Sequence, residues 1–177
     1  ISGTGVMRSC TITRNSATDG YAAGVRFYQS NGGLVENCII TNNSITDVDA
    51  GSGAGVVFSS SGPGTLRNCL IADNYAAVNG GGVCWKSTVA SVVENCTITG
   101  NRAGNLGAGV YMTAGAVSNC IIYHNTEVLP VVNPGDQNVY TTGGTITYSC
   151  STPLVSGAGN IDGEPSFEDR YNQNYRL

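Results

Sequence analysis

Charge is scarce in this chain. Asp, Glu, Lys and Arg together make up 11% of its 177 residues, and Lys and His occur once each. Eight dispersed Lys and Arg residues, in a chain of net charge −4, do not form the clustered cations that displace counterions from nucleic acid. No apolar run approaches the ~20 residues that cross a membrane as a helix. Strong helix formers are few, which disfavours a helical domain. Gly, by contrast, occurs 25 times, and Asn, Ser and Thr abound. That balance suits short strands joined by tight turns. The length suffices for one domain with a continuous core.

The chain repeats. Cys10-Thr-Ile-Thr-Arg-Asn15 returns as Cys38-Ile-Ile-Thr-Asn-Asn43, Cys69-Leu-Ile-Ala-Asp-Asn74, Cys96-Thr-Ile-Thr-Gly-Asn101 and Cys120-Ile-Ile-Tyr-His-Asn125, and Cys150 opens a degenerate sixth copy. The spacings are 28, 31, 27, 24 and 30 residues. In phase with them run Ala23-Gly-Val-Arg-Phe27, Ala54-Gly-Val-Val-Phe58, Gly81-Gly-Val-Cys-Trp85 and Ala108-Gly-Val-Tyr-Met112, with Gln137-Asn-Val-Tyr-Thr141 a weaker fifth. A third motif precedes each Cys, as in Gly33-Leu-Val-Glu-Asn37 and Gly64-Thr-Leu-Arg-Asn68.

Each unit therefore holds three short apolar runs, and alternation within each run indicates strands. Ile12, Ile40, Ile71, Ile98 and Ile122 share a face with the Cys column. Val25, Val56, Val83 and Val110 share one with Phe27, Phe58, Trp85 and Met112. Leu66 and Cys69 are three apart yet both belong inside, so the chain must bend near Asn68, a residue type that tolerates the left-handed region. Three strands and three bends make one coil of a solenoid, and coils bury an interior only by stacking. The expected fold is all-β: a right-handed parallel β-helix of about six coils over residues 1–150, with an irregular capping segment at 151–177. Arg8, Glu36, Arg67 and Glu94 alternate in sign two residues before each Cys. Stacked ~4.8 Å apart, they set the register more than the stability.

The paired motifs Gly80–Val83 and Cys96–Asn101 resemble the right-handed parallel β-helix repeats of the pectin-lyase-like superfamily, in particular those of bacterial surface and polymorphic outer-membrane proteins. The tail Gly159-Asn-Ile-Asp-Gly-Glu-Pro-Ser-Phe-Glu-Asp169 with Asn174-Tyr-Arg-Leu177 resembles the end of bacterial secreted β-helix proteins that carry a choice-of-anchor Q domain. In that family a Gly-Ser-Pro…Ile-Asp segment usually follows, whereas this chain stops at Leu177. The resemblance implies export, to the medium or the cell surface.

Several residues stand out as candidates. The in-phase cysteines read as an inward column of small hydrophobes. Cys84, between two inward residues, should face outward as a solvated or partly covered thiol, or make an intermolecular contact. Asp47 and Asp49, in a Gly-rich bend, resemble part of a Ca²⁺ loop; a solvated turn is the alternative, and no other cofactor is indicated. Ile39, Leu70 and Ile121 form a nearly continuous outward apolar column that suggests a contact with another chain or with a loop. Tyr111 and Tyr140 are placed to stack on sugars or to flank one another. Carboxylates are missing from the outward positions of the Gly-Val and Cys strands, which argues against a lyase or a glycosidase. The expected function is an extracellular structural or adhesive module. Its partners would be other copies of itself, joined head to tail in a filament, or surface polymers and glycans. The alternative is a carbohydrate-binding module or a carbohydrate-active enzyme.

Overall fold

The computed structural model describes residues 1–29, 31–59, 62–128, 138–169 and 172–176. Gln137 and Leu177, used above, lie outside them. The chain winds into a solenoid of parallel strands that form four sheets. Sheet 1 comprises Val6–Arg8, Gly33–Glu36, Gly64–Arg67, Val92–Glu94, Ala116–Ser118 and Thr145–Thr147. Sheet 2 comprises Thr11–Thr13, Ile39–Thr41, Leu70–Ala72, Thr97–Thr99, Ile121–Tyr123 and Cys150–Ser151. Sheet 3 holds the two-residue strands Ser16–Ala17, Ser44–Ile45, Tyr75–Ala76, Arg102–Ala103 and Thr126–Glu127. Sheet 4 holds Val25–Phe27, Val56–Phe58, Val83–Trp85, Val110–Met112 and Val139–Thr141.

Each coil therefore has four strands where three are expected from sequence. The additional strands of sheet 3 are too short to show alternation. Each follows the Asn that ends a Cys motif, after a residue of positive φ (Arg14, Asn42, Asp73, Gly100 or His124) has turned the chain.

Register is as the repeats require: Ile12, Ile40, Ile71, Ile98 and Ile122 pair in succession. They join Val35, Leu66, Val93, Val117 and the sheet 4 valines in one continuous core. Phe27 stacks on Phe58 at 4.7 Å between ring centres, and Trp85 lies against Phe58 at 4.7 Å with its plane tilted by 38°. The bend into sheet 2 takes positive φ at Asn37, Asn68, Asn95 and Asn119, which is why Leu66 and Cys69 both point inward.

From Asn43 to Asn125 the asparagines that end the Cys motifs form a buried ladder, with the exposed Asn15 at its first rung. Asn74 Nδ2 donates to Asn101 Oδ1 at 2.9 Å and to the Ile40 carbonyl at 2.9 Å; its Oδ1 accepts from Asn43 Nδ2 at 3.0 Å and the Asn43 N–H at 2.9 Å. The same pattern links Asn15 to Asn43, Asn101 to Asn125 and Asn125 to Asn138. The Gly of each Gly-Val motif follows from this packing. A Cβ on Gly55 would stand 2.5 Å from the Gly82 carbonyl and 3.0 Å from Asn74 Nδ2.

Two expectations shift in detail. Cys150 does not continue the Cys column. Ser149 Oγ accepts the Cys120 N–H at 3.1 Å, as a Cys sulfur does in earlier coils, and Cys150 pairs with Ile121. The sixth copy is offset by one residue, which swaps the face of its side chains. On the outer face of sheet 1, Glu36 collects both neighbours, pairing with Arg8 and with Arg67 at 2.6 Å. Arg67 thus turns to Glu36, although Glu94 is its register partner on the other side. The hydrogen bonds from Arg8 and then Arg67 hold the Glu36 carboxyl below its ordinary range.

Residues 156–161 lie over the end of the last coil. Ile161 bridges to Cys150, and Tyr148 donates its N–H to the Ala158 carbonyl at 2.8 Å.

Candidate functional site

Sheet 4 presents an outward column of Arg26, Val57, Cys84, Tyr111 and Tyr140 in register. Its middle is roofed. The chain at Gly53 and Gly80 passes so close that a Cβ on either would lie 3.0 or 2.7 Å from the Cys84 Cβ. Cys84 is therefore fully buried, at 0% exposure, where sequence suggests an outward, accessible thiol. It does point away from the main core, but these glycines let the loops close over it. Burial pushes its thiol up to about 12, which removes it as a nucleophile and as an intermolecular contact.

The two ends of this column are open. Tyr111 and Tyr140 stack with ring centres 5.3 Å apart and planes inclined by 15°, and both remain partly exposed. At the other end Arg26 lies over Tyr28 and Tyr21, and Lys86 over Tyr21. Sequence reasoning missed this second cluster. Tyr21, Arg26 and Tyr28 are near one another in the chain, but Lys86 joins them from a later coil, and only the winding brings it there.

The outward face of sheet 2 carries Ile39, Leu70, Thr97 and Ile121 in one register column. Ile39 is 45% exposed. Beyond it, the column faces the chain's own tail. Leu70 and Thr97 form one wall of a cleft of about 430 Å³ whose other wall is Gln173–Arg176, and Ile121 shares a cleft with Gly159 and Ile161. Tyr175 donates its hydroxyl to the Asp73 carboxylate, at 3.0 and 2.9 Å from the two oxygens. Phe167 lies against His124 and Tyr175, with ring centres 6.1 and 5.6 Å away. His124 Nε2 stands 3.5 Å from Glu164. Desolvation raises the Asp73 carboxyl above its ordinary value, partly offset by the Tyr175 bond. The tail thus brings an imidazole and several carboxylates to one edge of the solenoid, but it engages Asp73 and His124 in holding itself down.

Asp47 is engaged by the backbone around it. Asp47 accepts the N–H groups of Asp49 at 2.9 Å, Gly20 at 3.1 Å and Ala50 at 3.2 Å, which hold its carboxyl below the usual range. Asp49 is exposed and meets Asp47 through its backbone. Three N–H dipoles already aimed at this carboxylate make it an anchor between coils. Among the described residues no group of three His, Cys, Asp or Glu side chains is arranged around a metal position, and no helix is long and apolar enough to cross a membrane.

The family model for the right-handed β-helix region matches residues 1–164. The chain belongs to the right-handed β-helix family. No curated protein and no solved structure matches it. Within this β-helix the sheet 2 face is largely taken up by the tail, and the sheet 4 face offers aromatic rings at both ends. Sheet 4 is therefore the candidate site.

Proposed function

We propose that this β-helix is a non-catalytic structural and adhesive module of a bacterial protein, exported to the cell surface or the medium, that contacts polysaccharide through sheet 4. One observation carries the reading: the Tyr111–Tyr140 pair, stacked and partly exposed on a rigid ladder. Stacked in this way, the two rings turn their edges and hydroxyls outward, a rigid pair of donors and acceptors that can meet sugar hydroxyls at low conformational cost. The likeness of the tail to the end of secreted β-helix proteins with a choice-of-anchor Q domain supports export. The engagement of Asp73 by Tyr175 and of Glu164 by His124 supports a role without bond cleavage. Residues 156–161 already pair with the last coil, which favours a single adhesive module over a head-to-tail filament.

The test is affinity electrophoresis through gels containing neutral glucans or xylans. The reading predicts retardation that is lost in Tyr111→Ala/Tyr140→Ala, with no chain shortening of the polymer. Unretarded migration in every gel would overturn it, and release of oligosaccharides would replace it with an enzyme.

A further inference from the structure

The cluster at the first coils differs from the Tyr111–Tyr140 pair in carrying charge. Tyr21 and Tyr28 are exposed at 39% and 48%. The Arg26 guanidinium lies 4.7 Å from the Tyr28 ring centre and 5.7 Å from that of Tyr21, and Lys86 Nζ lies 5.1 Å from Tyr21. Arg26 Nε donates to Ser59 Oγ at 2.7 Å, and Ser59 Oγ donates to the Phe27 carbonyl at 3.1 Å. The guanidinium is thus tethered through one nitrogen, which leaves its two terminal groups for another acceptor. Among the described residues neither Arg26 nor Lys86 forms an ion pair; the pairs belong to Arg8, Arg67 and His124. Asp19, exposed on the same loop, pairs with neither. In a chain of net charge −4, two unpaired cations sharing one exposed ring run against the overall field.

We propose that this patch selects an anionic polysaccharide, one whose sugar rings carry a carboxylate or a sulfate. The inference rests on the glycan-binding reading of sheet 4 and names the ligand class. The exposed tyrosine rings receive the apolar face of a sugar. The acid group on that sugar accepts charge-assisted hydrogen bonds from the Arg26 terminal nitrogens and from Lys86. A polymer fits better than a single sugar. Arg26 and Tyr111 are three strand steps apart in register, about 14 Å at the strand spacing. One chain can therefore span both patches, and its second contact forms at high effective concentration. Nucleic acid is the poorer fit, because affinity for it grows with the number of neutralised phosphates and this face offers two cations.

The experiment compares retardation of the folded protein by a neutral glucan, a polyuronate, a sulfated glucan and a single-stranded oligonucleotide, for wild type, Arg26→Gln/Lys86→Gln and Tyr111→Ala/Tyr140→Ala. The proposal predicts that a charged glycan binds about tenfold more tightly than the neutral one, and that Arg26→Gln/Lys86→Gln erases this preference but keeps neutral binding. The polymer that shows the preference tells carboxylate from sulfate. Equal binding of neutral and charged glycans would overturn the proposal while leaving glycan binding in place. Binding of no glycan would overturn both. Tighter binding of the oligonucleotide would assign the patch to nucleic acid instead.

Discussion

Replacing Asn74 by Ala should be among the most damaging changes in this molecule. Its side chain is fully buried and makes four hydrogen bonds, to Asn101 Oδ1, the Ile40 carbonyl, Asn43 Nδ2 and the Asn43 N–H. Truncation leaves Asn43 N–H, Asn43 Nδ2 and the Ile40 carbonyl without these partners in an interior sealed by the coils above and below. Each orphaned buried group costs about 1–3 kcal/mol, so Asn74→Ala should lose about 4 kcal/mol. At an m-value near 2 kcal/mol/M the urea midpoint would fall by about 2 M. Asn15 supplies the control. It is exposed at the first coil and makes the same kind of bond to Asn43 Oδ1 at 2.8 Å. Water can replace it there, so Asn15→Ala should cost about 1 kcal/mol or less. Urea unfolding followed by circular dichroism reads both. Equal midpoints for the two variants would refute the reasoning, because the ladder's contribution would then not depend on burial.

Thiol labelling of the native protein at pH 8 should modify Cys10 alone, since it is the one exposed cysteine, and mass spectrometry should count all seven after denaturation; a native adduct on Cys84 would contradict the roof formed at Gly53 and Gly80. Glu36 has a depressed carboxyl, so its stabilisation is present above its ordinary value of 4.5 and is lost as pH falls through the folded value. Glu36→Gln should therefore flatten the acid limb of the stability curve below about pH 4.5, and an unchanged limb would show that the Arg8 and Arg67 bonds do not form in solution. Tyr175→Phe removes the bonds to Asp73, and the half-exposed setting limits the loss to about 1 kcal/mol of tail docking. The expected readout is faster hydrogen exchange or proteolysis confined to residues 162–176, with coil stability unchanged.

The solenoid was legible because its signal repeats. Five in-phase copies of the Cys-x-Ile motif and four of Gly-Val averaged out local ambiguity, and the register of Ile40 with Ile71 followed from alignment alone. What repeats but does not alternate was harder to read. The Asn at the end of each motif looks like turn chemistry, yet it is a buried column; the aligned Gly-Val glycines, each pressed against it, were the available clue. The strands of sheet 3 are two residues long and leave no periodic trace. Cys150 stands at nearly the spacing of the column, but Ser149 fills that place, and a one-residue offset of this kind leaves no mark in the spacing. Cys84 shows the limit of strand alternation. Alternation says which side of a strand a residue faces, not whether a loop from the adjoining turn covers that side. The site was less legible for the same reason. Tyr111 and Tyr140 align in the repeat and could be named, whereas Lys86 meets Tyr21 only through the winding of the coils and the path of the loops. The tail's return to Asp73, 102 residues away, has no sequence signature at all.

The most direct test of the sheet 4 reading is a two-dimensional amide NMR titration of the ¹⁵N-labelled protein with oligosaccharides cut from the polymer that retards it most. The account predicts shifts concentrated at Arg26, Tyr28, Lys86, Tyr111 and Tyr140, with Ile39 and Leu70 unmoved. Shifts confined to the sheet 2 column or to the tail, with Tyr111 and Tyr140 silent, would contradict it.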